Sequence, residues 1–354
     1  MLRSLQLTNF RSHRSLSLAL DGGLHVIRGP NGVGKTNALE AAYLLLNGRT
    51  VDGRPPVSCV TDGETDLAVA GDLAGRSFAV TAPSGAKFPH FVMDRKKVTR
   101  PYYAEHVGHR AVFFSNQELN VVYLEPQLRR DFLDEHLDLA DSDFSTLRAD
   151  YGKVVRSRNK LLAMVAEGRA DPADLDFWDR QVAELGAKYL AKRRELAGWL
   201  ASRLPTAQAW LGAKHDLCLQ YVTKVPQGDG AAAWLLAYLR ENRQRDVLIG
   251  RTCAGPHVDD LALLAGPKRE PAAKRLSRGE CKAAFLGLKF LAAQFVEARD
   301  PGRETVYLLD DLFSELDPRR CRLALDAVAQ KQVLVTVQDG VFPDLERKFA
   351  VTDL

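Results

Sequence analysis

Little in this sequence marks a secreted, membrane or metal-built protein. Its five cysteines, Cys59, Cys218, Cys253, Cys281 and Cys321, are scattered with no CxxC spacing. Neither a disulfide framework nor a thiolate metal cluster is expected, and a reducing cytosol fits. No apolar run approaches the roughly 20 residues that cross a bilayer; the uncharged helical stretch around Ala41–Asn47 is far shorter. Met1-Leu2-Arg3-Ser4 lacks a signal-peptide core, so a cytoplasmic location is expected. Charge is nearly balanced at a formal +4. That excess is too weak to establish nucleic-acid binding, though it permits a basic patch. What the chain has is length: its 354 residues suit more than one domain, or one domain with a large insertion.

The stretch that organises the chain is Gly29-Pro30-Asn31-Gly32-Val33-Gly34-Lys35-Thr36. It follows the apolar run Leu24-His25-Val26-Ile27, which reads as a buried strand, and precedes a helical run from Asn37 to Leu46. Strand, glycine loop, lysine and hydroxyl, then helix, is the P-loop pattern. The glycines let backbone N–H groups turn inward onto phosphate oxygens, the lysine reaches the outer phosphates, and the hydroxyl can ligate Mg²⁺. The positive end of the helix adds to the field. By itself the motif says that a nucleoside triphosphate binds.

Around it, Leu5 and Leu7, then Leu16, Leu18 and Leu20, alternate with polar residues as half-buried strands do. Residues 49–66 read as a loop. Leu67–Gly71, Arg76–Ala82 and Phe91–Val98 read as an antiparallel meander, and Ala111–Phe114 as a further strand. Arg95, Lys96, Lys97 and Arg100, followed by Tyr102 and Tyr103, form either a solvated strand face or a basic patch with stacking aromatics.

Residues 142–200 predict two long helices; in the first, Leu147, Tyr151, Val154, Arg158, Leu161 and Val165 step by 4 and 3. Leu175, Trp178, Val182, Leu185, Tyr189 and Leu196 form the seam of the second. Gly168 stops the first helix, and Asp171-Pro172 starts the second, giving an antiparallel hairpin. Its polar faces carry Lys153, Arg156, Arg158, Lys160, Lys188, Lys192, Arg193 and Arg194, read as solvated charge or as DNA-backbone contacts. A brief strand over Leu217–Val222, a helix over Ala231–Asp246 and a strand over Val258–Leu264 follow.

Three features after residue 250 match the P-loop. Thr305-Val306-Tyr307-Leu308-Leu309-Asp310-Asp311 is an apolar strand ending in carboxylates, a Walker B pattern. It delivers Asp310 for Mg²⁺, directly or through water, and Asp311 to orient or deprotonate the attacking water. Leu276-Ser277-Arg278-Gly279-Glu280 opens a helix; Ser277 either caps it or, with the Gly279 N–H, meets a γ-phosphate. Ser314-Glu315-Leu316-Asp317-Pro318 follows the carboxylates.

In this order the motifs resemble ABC-type ATPases. Thr36 and Asp310 stand 274 positions apart, too far for a simple P-loop domain. A head split by a helical arm resembles the SMC-like DNA-repair ATPases. Within those the chain resembles the RecF family over essentially its whole length. The carrying residues are Leu7–His13, Phe114–Leu119, Arg129–Asp134, Gly255–Leu261 and Leu309–Asp317. The fold implied is α/β: an ABC-ATPase-like head, a mixed sheet with helices plus an antiparallel meander, with an inserted mainly α-helical arm domain. The expected bounds are 1–118 and 251–354 for the head and 119–250 for the arm.

The resemblance implies that ATP with Mg²⁺ joins two copies. Lys35, Thr36, Asp310 and Asp311 act in cis, and Ser277 and Gly279 act from the other copy. It places Arg11 near the nucleotide, Gln117 as the Q-loop glutamine on metal or water, and Gln338 near the switch-histidine position. It implies double-stranded or gapped DNA, bound largely without regard to sequence, with RecR and RecO as partners and the recombinase RecA downstream. The location implied is cytoplasmic and nucleoid-associated. The chain departs from the pattern where no histidine follows Val335-Thr336, where Asn116 stands for a usual proline, and where Asp311 replaces a longer glutamate. The first and last departures imply slow hydrolysis, a weak DNA-dependent ATPase that serves as a switch. An ABC transporter ATPase would lack the helical hairpin, and a small-molecule P-loop kinase would lack the signature at Ser277.

Overall fold

The computed structural model describes residues 1–115, 126–210, 216–338 and 350–354. The alternating leucines form a hairpin, β1 (Leu2–Phe10) and β2 (His13–Ala19). β3 (Leu24–Arg28) leads through the glycine loop into α1 (Lys35–Asn47), which ends where the Gly48 N–H closes on the Leu44 carbonyl. The meander is β4 (Leu67–Leu73), β5 (Arg76–Ala82), β6 (His90–Met93) and β7 (Lys96–Val98). The single strand expected over Phe91–Val98 is two strands. Asp94 and Arg95, at φ 47° and 64°, make the tight turn between them, the paired left-handed geometry of a type I′ hairpin.

α2 (Arg100–His106) is capped by the Thr99 side chain, and β8 (His109–Ser115) follows. The helical stretch comprises α3 (Pro126–Ala140), α4 (Phe144–Ala166) and α5 (Leu175–Trp210). Between α4 and α5 the Asp171 side chain accepts from the Ala173 N–H at 2.7 Å, so the expected cap residue fixes the turn. Then come β9 (Leu217–Val222), α6 (Ala231–Glu241) and α7 (Arg243–Ile249). The one helix expected over Ala231–Asp246 breaks at Asn242, whose side chain turns back onto the Tyr238 carbonyl at 2.9 Å. β10 (Asp260–Ala265), β11 (Glu270–Pro271), α8 (Ala272–Arg275) and α9 (Arg278–Arg299) precede β12 (Glu304–Asp310). The described chain closes with α10 (Pro318–Asp326), β13 (Gln332–Val337) and β14 (Ala350–Asp353).

Contacts divide the chain into two units, Met1–Leu119 with Asp300–Leu354, and Asn120–Arg299. In the first unit one sheet has the order β14-β3-β13-β12-β8, parallel throughout. The other is the antiparallel meander β2-β1-β4-β5-β6-β7. One apolar core joins them through α1: Leu5 and Val80 of the meander, Leu39 and Leu44 of α1, and Leu308 and Leu334 of the parallel sheet. Such burial is the dominant favourable term of folding. Because β13 pairs with both β3 and β12, the loops leaving those strands emerge side by side at the carboxyl edge, where α/β sheets bind ligands.

The second unit is mainly helical, with a small sheet of order β11-β10-β9. The buried stripe of α4 is Phe144, Tyr151, Val155, Arg158 and Leu162, so the expected Val154 and Leu161 give way to their C-terminal neighbours. Arg158 and Arg193, read from sequence as part of a basic polar face, are 0% and 2% exposed. Arg158 meets Asp179 and Asp246, both at 2.7 Å, and Arg193 meets Asp134 at 2.8 Å. A guanidinium buried against carboxylates does not face DNA, and these two leave that reading. Residues 251–299, which motif order assigns to the head, cluster with this second unit.

Candidate nucleotide site

The glycine loop takes the shape its residues dictate. Gly34 stands at φ 107°, and a Cβ there would overlap the His13 ring and the Ser12 hydroxyl. Only glycine satisfies both demands. Ser12 belongs to the β1–β2 turn and His13 opens β2. The His13 Nε2 lies 3.0 Å from the Gly34 carbonyl, and Asn37 Nδ2 donates to Ser12 Oγ at 2.7 Å. Pro30, Asn31, Gly32 and Thr36 are exposed, whereas Lys35 is buried. The Lys35 ammonium donates to the carbonyls of Gly29 (2.6 Å) and Pro30 (2.9 Å), which holds it inside the curl of the loop.

Across the strands stands the carboxylate pair. The Thr36 hydroxyl donates to both Asp310 oxygens, at 2.9 and 3.0 Å, joining P-loop to Walker B over the whole intervening insertion. Thr336, at the carboxyl end of the intervening β13, donates to Asp310 Oδ1 at 2.8 Å and accepts from the Asp311 N–H at 2.8 Å. Burial pushes the Asp310 carboxyl above the ordinary carboxylate range. The hydroxyls of Thr336 and Thr36 pull it back, the Asp311 charge pushes further, and Lys35 opposes. A carboxylate so placed favours a cation beside it. One hydroxyl and one carboxylate, with remaining positions left for water and phosphate oxygens, suit Mg²⁺. Asp311 occupies the left-handed region at φ 46°, uncommon for a side-chain-bearing residue, and the bond to Thr336 holds it there. Just beyond, Ser314 Oγ donates to the Asp311 carbonyl, and Asp317 caps α10 by accepting from the Arg320 N–H at 2.9 Å.

Of the remaining residues singled out from sequence, Arg11 lies beside α1. It donates to Glu40 Oε2 at 3.0 Å and Asp52 Oδ2 at 3.3 Å. Glu40 is one helical turn beyond Thr36, so Arg11 flanks the loop through a carboxylate. Gln338 is half-buried directly after β13. Gln117 and Asn116 lie outside the described residues. Ser277 and Gly279 belong to the second unit. There Ser277 Oγ accepts from the Glu280 N–H at 3.3 Å, while Glu280 accepts from the Ser277 N–H at 2.9 Å. That reciprocal pair is a capping box. Ser277 itself is exposed. Tyr103 leaves the proposed aromatic patch: it is 1% exposed and donates to the Leu45 carbonyl at 2.7 Å, whereas Tyr102 is exposed. Sequence reasoning passed over Thr336; the signal was a lone hydroxyl ending an otherwise apolar strand.

Comparison with known proteins places this geometry. The AAA domain family matches residues 4–83. A protein of Herpetosiphon aurantiacus, DNA replication and repair protein RecF, is 33% identical over 95% of this chain and 92% of its own. The chain belongs to the RecF family. A RecF of Acidothermus cellulolyticus is 32% identical over 97% of this chain and 95% of its own. Among solved structures, a RecF with ATP, described as a recombination mediator protein in the RecFOR pathway, has a TM-score of 0.84. It is 23% identical and covers 97% of this chain and 92% of its own. An Smc head bound to the C-winged helix domain of ScpA has a TM-score of 0.53 at 13% identity, covering 96% and 90%. The fold is thus mixed α/β of the RecF and SMC-head ABC-ATPase type, with a large helical region. Among the described residues no helix is long and apolar enough to cross a membrane.

Proposed function

We propose that this chain is an ATP-dependent DNA-binding protein of recombinational repair and replication, in which ATP closes two copies into a clamp. The observation that carries the reading is the Thr36–Asp310 hydrogen bond, which unites two halves of a nucleotide site across the insertion. Lys35 and the loop N–H groups bind the phosphates, and Thr36 and Asp310 hold Mg²⁺, which when bound neutralises phosphate charge. Asp311, with Gln117 and Gln338, orients the attacking water. Ser277 and Gly279 of a second copy complete the γ-phosphate contacts, within a head formed by 1–118 and 251–354 and an arm formed by 119–250.

The physics of the switch is linkage. A ligand bound by the dimer and only half-bound by the monomer stabilises the dimer by its differential affinity. The short Asp311 carboxylate and the absence of a histidine after Thr336 make hydrolysis slow, so ATP times the closed state. DNA is held through its phosphates, with salt-sensitive affinity and little base readout. The clamp helps load the recombinase RecA at single-stranded gaps together with RecR and RecO. The test is binding of gapped and plain duplex DNA with ATP, with ADP and with neither, at two salt concentrations. ATP should tighten binding and higher salt weaken it. Identical binding in all three nucleotide states would overturn the clamp.

A further inference from the structure

The small sheet of the second unit ends in an open edge. In the order β11-β10-β9, β9 pairs with β10 alone among the described residues. The Gly266 N–H donates to the Asp216 carbonyl, and the register runs on from there to Asp260↔Val222. Antiparallel ladders alternate, so Cys218, Gln220 and Val222 bond to β10 while Leu217, Leu219 and Tyr221 turn their backbone groups outward. The outward N–H of Leu217 confirms the phase, since it donates to the Gln208 side chain of α5 at 3.1 Å. Beyond that point a groove of about 590 Å³ lies between the strand edge and α5, lined by Ala197, Gly198 and Ala201 on the helix side. A Cβ on Gly198 would meet nothing within 4 Å, so the helical wall is low at that point.

The groove's charge is one-sided. Arg194 is the charged residue among those described as lining it. Its guanidinium donates to the carbonyls of Val225 and Pro226; among the described residues it makes no salt bridge, and the charge of Asp259 acts on it only from beyond salt-bridge distance. Lys224 likewise gives its ammonium to the Tyr238 hydroxyl and the Cys253 carbonyl, both neutral. This contrasts with Arg158, Lys192, Arg193 and Arg243 of the same unit, each set against an aspartate.

We propose that β9 accepts an extended, acidic protein segment as an added strand, laid in this groove between the strand edge and α5. Main-chain bonds to Leu219 and Tyr221 would supply affinity, as in other cases of strand addition. The strand spacing of about 4.8 Å sets the segment over the small residues of α5, and a carboxylate meets Arg194. This interaction surface lies in the second unit and does not depend on the nucleotide reading.

The test uses the full chain and a fluorescent peptide of alternating glutamate and valine, about eight residues long, with a lysine-for-glutamate version as control. The acidic peptide should bind and slow amide exchange at Leu219 and Tyr221, and the lysine version should bind about tenfold more weakly or not at all. Gly198→Leu fills the groove while removing a glycine from a helix interior, so the fold survives it. It should abolish binding, and Arg194→Glu should reverse the preference between the two peptides. Absence of binding by either peptide, equal binding of both, binding unaffected by Gly198→Leu, or unchanged exchange at the two amides would each overturn the proposal. Concentration-dependent dimers that Gly198→Leu dissolves would overturn it too, by giving the edge to a second copy.

Discussion

In the parallel-sheet unit the charges around Thr36 and Asp310 stand at a strand edge where another molecule's charges would go. Among the described residues, Lys35 donates to backbone carbonyls and Asp310 accepts from hydroxyls, neither in a salt bridge. In the helical unit the buried arginines and aspartates answer one another. Arg158 is fully buried between Asp179 and Asp246, Thr252 Oγ1 accepts from it at 2.9 Å, and Arg243 reaches Asp179 from the other side. Arg193 meets Asp134, the Tyr189 hydroxyl and the Pro256 carbonyl. Side chains of one type therefore do two jobs. Where no salt-bridge partner stands among the described residues, the group is open to a ligand; where one does, the group ties helices together. Buried pairs of the second kind give little net stability but are costly to break singly.

The largest expected effect lies in the helical unit. Arg158→Met leaves the buried Asp246 uncompensated and Asp179 with Arg243 alone, and should cost about 3–5 kcal/mol in denaturant unfolding. Replacing Arg158, Asp179 and Asp246 together by apolar residues of similar size should restore most of it. If the triple variant is no better than the single one, the cluster does more than satisfy itself. Next comes Lys35→Ala, which removes charged hydrogen bonds worth about 1.5–3 kcal/mol, roughly ten- to a hundredfold in ATP affinity. Equilibrium binding of a labelled nucleotide to the folded variant checks it.

A smaller effect follows from His257. Burial holds its imidazole below the ordinary range, while the Thr252 carbonyl pulls the other way and Arg130, Arg158 and Arg193 push further down. The unfolded chain takes up a proton below about pH 6.5 that the folded one refuses, so stability falls as pH drops through that value, by at most about 1.4 kcal/mol per unit. The pH slope of the melting temperature should be shallower in His257→Gln. The smallest effect on stability is at Ser277. Loss of its capping box in Ser277→Ala should cost about 1 kcal/mol. If Ser277 also serves a second copy's nucleotide, that variant binds ATP normally as a monomer yet fails to dimerise.

The same division explains what could be read in advance. The nucleotide unit follows from local pattern: β3, the glycine loop, α1 and β12 are apolar runs ending in chemistry-bearing residues. The α4–α5 turn was legible because Gly168, Asp171 and Pro172 act within a few residues of one another. The register of α4 was not, because Val154 and Val155 are equally apolar and only packing chooses between them. The buried arginines were misread because their aspartates stand 21, 59 and 88 positions away. One clue was present: Arg158 falls on the apolar stripe with Tyr151. The turn at Asp94-Arg95 was missed because neither residue is a glycine. Thr336 was missed because its role depends on which strands flank β13.

The central claim is that each nucleotide site is shared between two copies, and mixing two defective chains tests it most directly. Lys35→Met spoils the loop and Ser277→Arg spoils the contribution to the other copy. Neither should form an ATP-dependent dimer alone in sedimentation. Mixed, a heterodimer keeps one site with an intact loop from one chain and an intact signature from the other, so ATP should restore dimers in the mixture alone. A mixture that stays monomeric with ATP, while the unaltered chain dimerises, would contradict a site shared in this way.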